Sequence, residues 1–444
     1  MVRRLVAIAV FATVVSPVGG TAAASPASTL KSQLRKAMRG TGSQSGAFVM
    51  DAASGKTMFS RRGTTPRILA SNTKLFTSAA VLGRYGRSSS LATTLIGTGS
   101  LQPNGTWKGN LYLRGGGDPT FGSRSFARGA YGSNASVEAL ADELDTAGFK
   151  AVTGAVVGDE SSFDSLRGGP SSGYGTSIYV GPISALSFNR GLANSSGSAF
   201  QSNPPLFAAT RLDQALGARG IGVKGKPRTG AAPAGAVTLA EVRSPTVANL
   251  LRLQNKDSDN FFAEMLLKGL PMAPSKGGSL RRTGSAYPLT PTPDAPDAAA
   301  ARDPSTTGTT RAGTRVATRY ASSLGVKVQL ADGSGLSRSD RAAPKQIARL
   351  LRAMRRREGF SAFYASLPIA GRDGTLSGRM RSGPAHGRCH AKTGTLSDVS
   401  ALSGYCTSRS GGTLIFSVLN NRTNIYNARA VQDHVAQLLA GYGG

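Results

Sequence analysis

The sequence predicts an α+β protein in two parts: a five-stranded antiparallel sheet flanked by helices, built from both ends of the chain, and a smaller α+β domain inserted into it. Three observations carry that expectation. Strand-like runs at 47–50 and 57–60 open the chain, and three more, at 390–395, 399–406 and 413–420, close it. Over 93–242 the texture changes to short strands alternating with two helical stretches, 136–147 and 207–219, and Gly-rich turns, which marks a separate α+β unit. A chain of 444 residues with 39% hydrophobic and 17% charged residues and 57 glycines has room for two loop-rich globular domains and excludes a coiled coil or a collagen-like rod.

In chain order, residues 1–24 read as an export signal. Arg3 and Arg4 precede an apolar run over 5–18, and Ala22, Ala23 and Ala24 form a small-residue cleavage site, giving a mature start near Ser25. The run is short for an uncleaved membrane anchor, and no later segment is apolar enough to span a bilayer. Ser28 is placed to cap a helix reaching about Arg39, and Ser54 and Gly55 turn the first hairpin. From Ser71 the spacing of Leu75, Phe76, Ala79, Ala80 and Leu82 puts one apolar face on a helix. The larger domain is thus expected over 25–92 and 243–444, with the smaller one at 93–242.

The Gly-rich turn at 114–119 lacks the GxxxxGK spacing of a phosphate cradle and reads as structural. Helices are expected at 246–255 and 261–268, the second closed by Gly269, with a tight connection at 258–260 between them. Residues 273–304 are rich in Pro, Thr, Ala, Asp and Gly and poor in large apolar side chains. Such a segment cannot bury itself and is expected to be a disordered insertion. Helices at 309–323 and 427–439 complete the set; the last has no basic amphipathic face for a membrane surface.

Net charge is +30, from 53 basic against 23 acidic residues. Such a balance suits nucleic acid or an anionic extracellular surface, and the export signal favours anionic cell-wall polymers and disfavours nucleic acid. Lys345, Arg349, Arg352 and Arg356 share one face of a helix beginning at Pro344, opposite Ile347, Leu350, Leu351 and Met354; a solvated face and a specific binding site are both open. Cys389 and Cys406 are the two cysteines, and a hairpin turning at Ser397 and Asp398 would set them opposite each other, as a disulfide in an exported protein or as a buried thiol pair. With three histidines and no metal-ligand spacing beyond the crowded Cys389–His390 pair, no metal and no other cofactor is expected.

The chemistry lies in three short motifs in one order: Ser71-Asn72-Thr73-Lys74, Ser258-Asp259-Asn260 and Lys392-Thr393-Gly394. Each alone fits a plain N-cap, turn or edge strand. Together they supply a nucleophile, an amine base, a proton relay and a carboxylate clamp. Ser71 is a weak nucleophile that needs an adjacent base. Lys74, one helical turn on, serves if burial or a neighbouring positive charge such as Lys392 depresses its pKa. Ser258 would pass a proton to the leaving amine, and Asn260 would hold Lys74 and the substrate amide. Lys392 and Thr393 would bind a substrate carboxylate, and Gly394 would let the substrate backbone approach. The backbone N–H groups of Ser71 and Thr395 would form an oxyanion hole.

This trio resembles that of penicillin-binding proteins and class A β-lactamases. Its surroundings at 69–77, 111–119, 258–264, 332–338, 371–376 and 391–396 resemble the low-molecular-mass, class C penicillin-binding proteins with D-alanyl-D-alanine carboxypeptidase and endopeptidase activity. The resemblance implies a β-lactamase/transpeptidase-like fold and an exported serine DD-peptidase acting through an acyl-serine on peptidoglycan stem peptides, trapped by β-lactam antibiotics. Two alternatives are a serine β-lactamase, which shares the trio without the inserted domain, and a catalytically idle, basic wall-binding protein. Two departures from the family pattern stand out. The span between the first two motifs is short for members with two nested inserted domains, and the insertion after Leu270 is extra.

Overall fold

The structure is a computed structural model describing residues 25–272 and 307–444, so the expected export signal and the 273–304 insertion lie outside the described residues. Its first sheet has five antiparallel strands in the spatial order Cys389–Leu396, Val399–Thr407, Thr413–Asn421, Ser45–Asp51, Thr57–Arg61. The two ends of the chain meet where Ser45–Asp51 pairs with Thr413–Asn421, as the sequence predicts. Both faces are covered, so the two inner C-terminal strands are buried at nearly every position instead of alternating. Helices Thr73–Tyr85 and Pro344–Met354 pack on one face through Phe76, Leu350 and Leu351 against Phe48, Ile415 and Leu419. Helices Pro26–Ala37 and Ile425–Gly441 cover the other through Leu34, Val435 and Leu439 against Val49, Leu402 and Phe416.

The second sheet, also five-stranded, has the order Gly222–Thr229, Ala151–Asp159, Thr106–Gly115, Ala92–Leu101, Val237–Arg243. It is mixed. Helices Val137–Thr146 and Pro204–Gly217 are its crossovers, and the strands they connect pair in parallel. Leu140, Leu144, Leu212 and Leu216 of these helices pack on Trp107, Leu111, Val152 and Val156. A short helix at Arg124–Tyr131 is an addition to the sequence expectation. Residues 160–203 leave this sheet as a long connection with little regular structure and run back towards the first. Asp164 pins it to the buried Lys268, at 2.5 Å, on helix Asn260–Gly269.

Three local expectations are corrected. The first helix is capped by Ser25, whose Oγ accepts from the Ser28 N–H at 3.3 Å; Pro26, which has no N–H to satisfy, fills the first helical position. The helix after the first motif begins at Thr73, preceded by a 3₁₀ turn at Ala70–Asn72 whose first residue, Ala70, has φ 47° and so bars any helical extension upstream. The last helix reaches from Ile425 to Gly441, beyond the expected 427–439. Cys389 and Cys406 stand opposite in the strand register and are joined as a disulfide. That crosslink contributes about 3 kcal/mol in the chain-entropy account. Arg352 donates to the carbonyls of Ala52 and Ala53 at 3.3 and 3.0 Å, so part of the basic helix face serves to hold the first hairpin.

Candidate active site

The 3₁₀ turn sets Ser71 at the mouth of a cavity of about 930 Å³, with Lys74 buried one turn behind it. The Lys74 ammonium donates to Ser71 Oγ at 3.1 Å, to Asn260 Oδ1 at 2.7 Å and to the Ser334 carbonyl at 2.7 Å. The three acceptors fix it with its head against the nucleophile. Burial pulls its pKa down to about 8, opposed by the carboxylates of Asp332, Glu264, Asp259 and Asp340.

Residues 332–340 form the wall behind this pair. Asp332 accepts from the N–H groups of Gly335 and Ser337 at 2.6 and 2.7 Å, and Glu264 accepts from Ser334 N–H at 2.8 Å. The loop so folded presents the Ser334 carbonyl to Lys74. Gly335 lies at φ 87°, and a Cβ there would sit 1.9 Å from the Ala70 carbonyl oxygen, so only glycine fits this turn.

The second and third motifs meet across the cavity. Ser258, at φ 58°, accepts from Lys392 Nζ at 2.8 Å. The strand carrying Lys392 is tied to the first motif by Asn72, whose Nδ2 donates to the Lys392 carbonyl at 3.0 Å. A Cβ on Gly394 would come within 3.1 Å of the Ser71 nitrogen, so glycine allows the strand and the nucleophile turn to approach this closely. Burial and the Lys74 charge hold Lys392 well below the usual lysine range. Of the two causes the sequence left open for a depressed Lys74, burial or the charge of Lys392, burial is the main one, as it is for Lys392, and the carboxylates around Lys74 favour the proton there.

All of Ser71, Ser258, Asn260, Thr393, Gly394 and Thr395 line the cavity, with Lys74 and Lys392 beneath it. Several lining residues escape the sequence analysis. Tyr179, from the 160–203 connection, overhangs the opening, and its carbonyl accepts from Asn260 Nδ2 at 3.1 Å. Thr375 shares a 2.7 Å hydrogen bond with the Thr393 hydroxyl. Arg429, from the last helix, donates to Thr395 Oγ1 at 3.3 Å, and Arg379 stands beside it, paired with Asp433. Sequence spacing does not reveal Tyr179, Arg379 or Arg429, whereas Thr375 lies in the 371–376 stretch that carries the family resemblance.

A serine nucleophile and a buried lysine at the edge of a five-stranded antiparallel sheet, faced by a second lysine on the edge strand, define the penicillin-recognising serine hydrolases. Comparison with known proteins narrows this. The model of the D-Ala-D-Ala carboxypeptidase 3 (S13) family matches residues 27–202, 196–288 and 298–442, and the chain belongs to that family. A D-alanyl-D-alanine carboxypeptidase from Actinomadura sp. (strain R39) is 29% identical over 488 residues, covering 91% of this chain and 82% of that protein. A carboxypeptidase from Mycobacterium tuberculosis is 28% identical over 414 residues, covering 88% and 79%. The crystal structure of penicillin-binding protein 4 (dacB) from Haemophilus influenzae superposes with a TM-score of 0.71 at 22% identity, over 90% of this chain and 97% of that one. The chain is a low-molecular-mass, class C serine DD-peptidase, a hydrolase.

Proposed function

We propose that the Ser71–Lys74 pair cleaves the terminal D-Ala-D-Ala bond of peptidoglycan stem peptides, and D-alanyl crosslinks where the same geometry is presented, through an acyl-serine. The observation that carries this is the 3.1 Å contact between Ser71 Oγ and a wholly buried lysine whose pKa is pulled to about 8. At rest the proton of the two-lysine pair sits on Lys74, among its carboxylates. A substrate carboxylate docking against Thr393, Thr395 and Lys392 stabilises the ammonium on Lys392 and leaves Lys74 free as the base. Ser71 Oγ then attacks the penultimate carbonyl while its proton passes to Lys74. The Ser71 and Thr395 N–H groups hold the oxyanion. As the C–N bond breaks, Ser258 gives its proton to the leaving amine and is resupplied by Lys392, which it already touches at 2.8 Å. Acylation therefore ends with the proton back on Lys74; once that proton passes to Lys392, Lys74 takes a proton from the attacking water and returns it to Ser71 Oγ as the shortened peptide leaves.

The same site accepts β-lactams as acylating analogues. Asn260 orients Lys74 and the substrate amide, and Gly394 admits the substrate backbone alongside the edge strand. In domain terms, 25–92 with 243–444 form the catalytic unit and 93–242 the inserted one. The disulfide and the N-terminal sequence support an exported, wall-associated protein, and the +30 charge supports loose attraction to anionic wall polymers. Among the described residues no helix is long and apolar enough to cross a membrane.

The test is gel fluorescence after incubation with a fluorescent penicillin, beside Ser71→Ala. A lasting band lost in the variant is expected, together with D-alanine release from a D-Ala-D-Ala peptide. Labelling that survives in Ser71→Ala would sink the assignment, and a band that vanishes within seconds as penicillin is consumed would make the protein a β-lactamase.

A further inference from the structure

The proton relay Ser258 sits in a conformation that costs a serine energy and is fastened from two sides. A serine at φ 58° lies in the left-handed region that non-glycine residues rarely occupy. Its neighbour Asp259 caps the next helix by accepting from the Phe262 N–H at 3.0 Å. The Asp259 N–H also closes the turn on the Gln254 carbonyl at 2.8 Å, so the left-handed Ser258 ends helix Val247–Lys256 as its C-cap turn. A side-chain fastening is added from the second sheet's side. Arg190, on the 160–203 connection, reaches Asp259 with both terminal nitrogens, Nη1 on Oδ2 and Nη2 on Oδ1, the second at 3.1 Å. Its guanidinium lies 5.2 Å from the centre of the Phe261 ring and meets the side chain of Tyr131. Tyr131, at the end of helix Arg124–Tyr131, packs its own ring on Phe262 at 5.2 Å.

The Arg190 end is itself held. Asn189 and Arg190 both have positive φ, 48° and 61°. Asn189 Oδ1 accepts from the Ser123 N–H at 2.8 Å, and its own N–H donates to the Phe121 carbonyl at 3.0 Å. Two left-handed, non-glycine turns therefore face each other across a two-toothed ion pair, one rooted in the second sheet's core and one carrying the relay. A planar guanidinium gripping both carboxylate oxygens fixes orientation as well as distance.

We propose that Arg190 is a positioning residue for acylation: by clamping the Asp259 side chain from the inserted unit, it fixes how the left-handed turn is seated against the edge strand and so keeps the Ser258 hydroxyl on the Lys392 amine. Arg190 touches neither substrate nor reacting atoms and acts through the turn. The clamp gives the second sheet a role in the reaction. It rests on the DD-peptidase reading above.

The arrangement carries a signature that simple loss of packing does not. Asp259 is one of four carboxylates acting on Lys74, with Asp332 and Asp340 from the wall loop and Glu264 from the same helix, while Lys392, itself acted on by Asp257, faces Lys74 from the strand. Arg190 offsets the Asp259 charge. Arg190→Met exposes that charge and moves the alkaline limb of acylation upward, whereas Asp259→Asn removes it and moves the limb downward. Tyr131, next to both, is already pushed up by burial and stays neutral through this range.

The experiment measures second-order acylation of the full chain by a fluorescent penicillin from pH 5 to 10, for wild type, Arg190→Met, Arg190→Lys and Asp259→Asn, with thermal unfolding as the check on folding. The expected result is acylation slowed on the order of 10–100-fold in Arg190→Met, as a displaced relay predicts, a smaller loss in Arg190→Lys, and opposite shifts of the alkaline limb in Arg190→Met and Asp259→Asn. Acylation at the wild-type rate in either folded Arg190 variant overturns the proposal, as do shifts of the same sign. If Arg190→Met fails to fold, Arg190→Lys carries the rate test alone. A wild type that is not acylated at Ser71 defeats the DD-peptidase reading itself, whereas equal acylation of wild type and Arg190 variants defeats only the clamp.

Discussion

The floor and the roof of the cavity are built in opposite ways. The floor comes from segments whose side chains are packed and pinned: Lys74 has three acceptors, Asn72 is locked to the neighbouring strand, and the wall loop is folded on its own carboxylates. The roof is a long connection from the second sheet, with Tyr179 two-thirds exposed and Ile178 more so, touching the floor through the Asn260–Tyr179 hydrogen bond and the Arg190–Asp259 pair. A covalent reaction needs sub-ångström placement of nucleophile and base, which a dense, buried site provides. Admitting a peptide attached to a polymer needs an opening, which exposed loop residues provide. The division predicts that floor substitutions remove chemistry and roof substitutions retune it.

The largest effect should come from the floor. Lys74→Met keeps the volume and removes the base, and acylation of Ser71 should fall about 10²–10⁴-fold, the range for loss of a general base. Single-turnover labelling with penicillin reads it directly. A fall under tenfold would mean that another group takes the Ser71 proton. In the proposed mechanism the active form carries one proton on the Lys74–Lys392 pair, on Lys392 once substrate is bound. Rates should therefore fall as pH rises through about 8, where Lys74 in the free enzyme loses the shared proton, and fall again at low pH when both lysines are charged. A kcat/KM that kept climbing to pH 10 would show that Lys392 works uncharged.

A smaller effect is expected at the cavity's basic end. Arg429 is exposed and bonded to Thr395 Oγ1, so it adds a screened charge next to the expected carboxylate site. Arg429→Gln should raise KM for a peptide ending in a free carboxylate about 3–10-fold, with kcat little changed, and leave cleavage of the corresponding amide as it was; the range is what one charge-assisted hydrogen bond at the surface is worth. An equal change on both substrates would place Arg429 outside carboxylate recognition.

The same division explains what the sequence made legible. Ser71 and Lys74 are three residues apart, so their contact follows from one helical turn, and the cysteine pairing follows from hairpin register. The five strands of the first sheet stand out because turn residues bound each one. The roof had no such local signal. Asn260 meets Tyr179 across 81 positions and Arg190 meets Asp259 across 69, and the floor's own contact of Lys74 with Ser334, across 260, is just as silent. No spacing rule links such pairs; tertiary packing alone brings them together. The misplaced first helix cap is the same lesson at short range: Ser25 and Ser28 are equivalent by propensity, and Pro26 decides between them.

The smallest effect on catalysis, and a sharp test of where the roof is anchored, lies at Asp118. It sits in the Gly-rich turn of the second sheet, buried, with one oxygen accepting from the Thr120 N–H and hydroxyl at 2.7 Å each and the other without a partner. Burial pushes its carboxyl from 3.8 up to about 7. Below pH 3.8 it is neutral in both folded and unfolded chains. Between about 4 and 7 the unfolded chain releases the proton and the folded one keeps it, so stability falls as pH rises, by up to about 4 kcal/mol for a shift of that size. Above 7 the loss is complete and constant. Asp118→Asn carries no proton to lose, so its urea midpoint should decline less steeply from pH 4.5 to 8 than that of wild type, the remaining slope coming from Glu264 and Asp340, which burial also raises, while penicillin acylation at the floor stays within about twofold, as for independent sites. Parallel declines in the two proteins would move the titrating group elsewhere. A large fall in acylation would mean that the turn and the floor are one cooperative unit, and the contrast between a rigid floor and a separately anchored roof would fail.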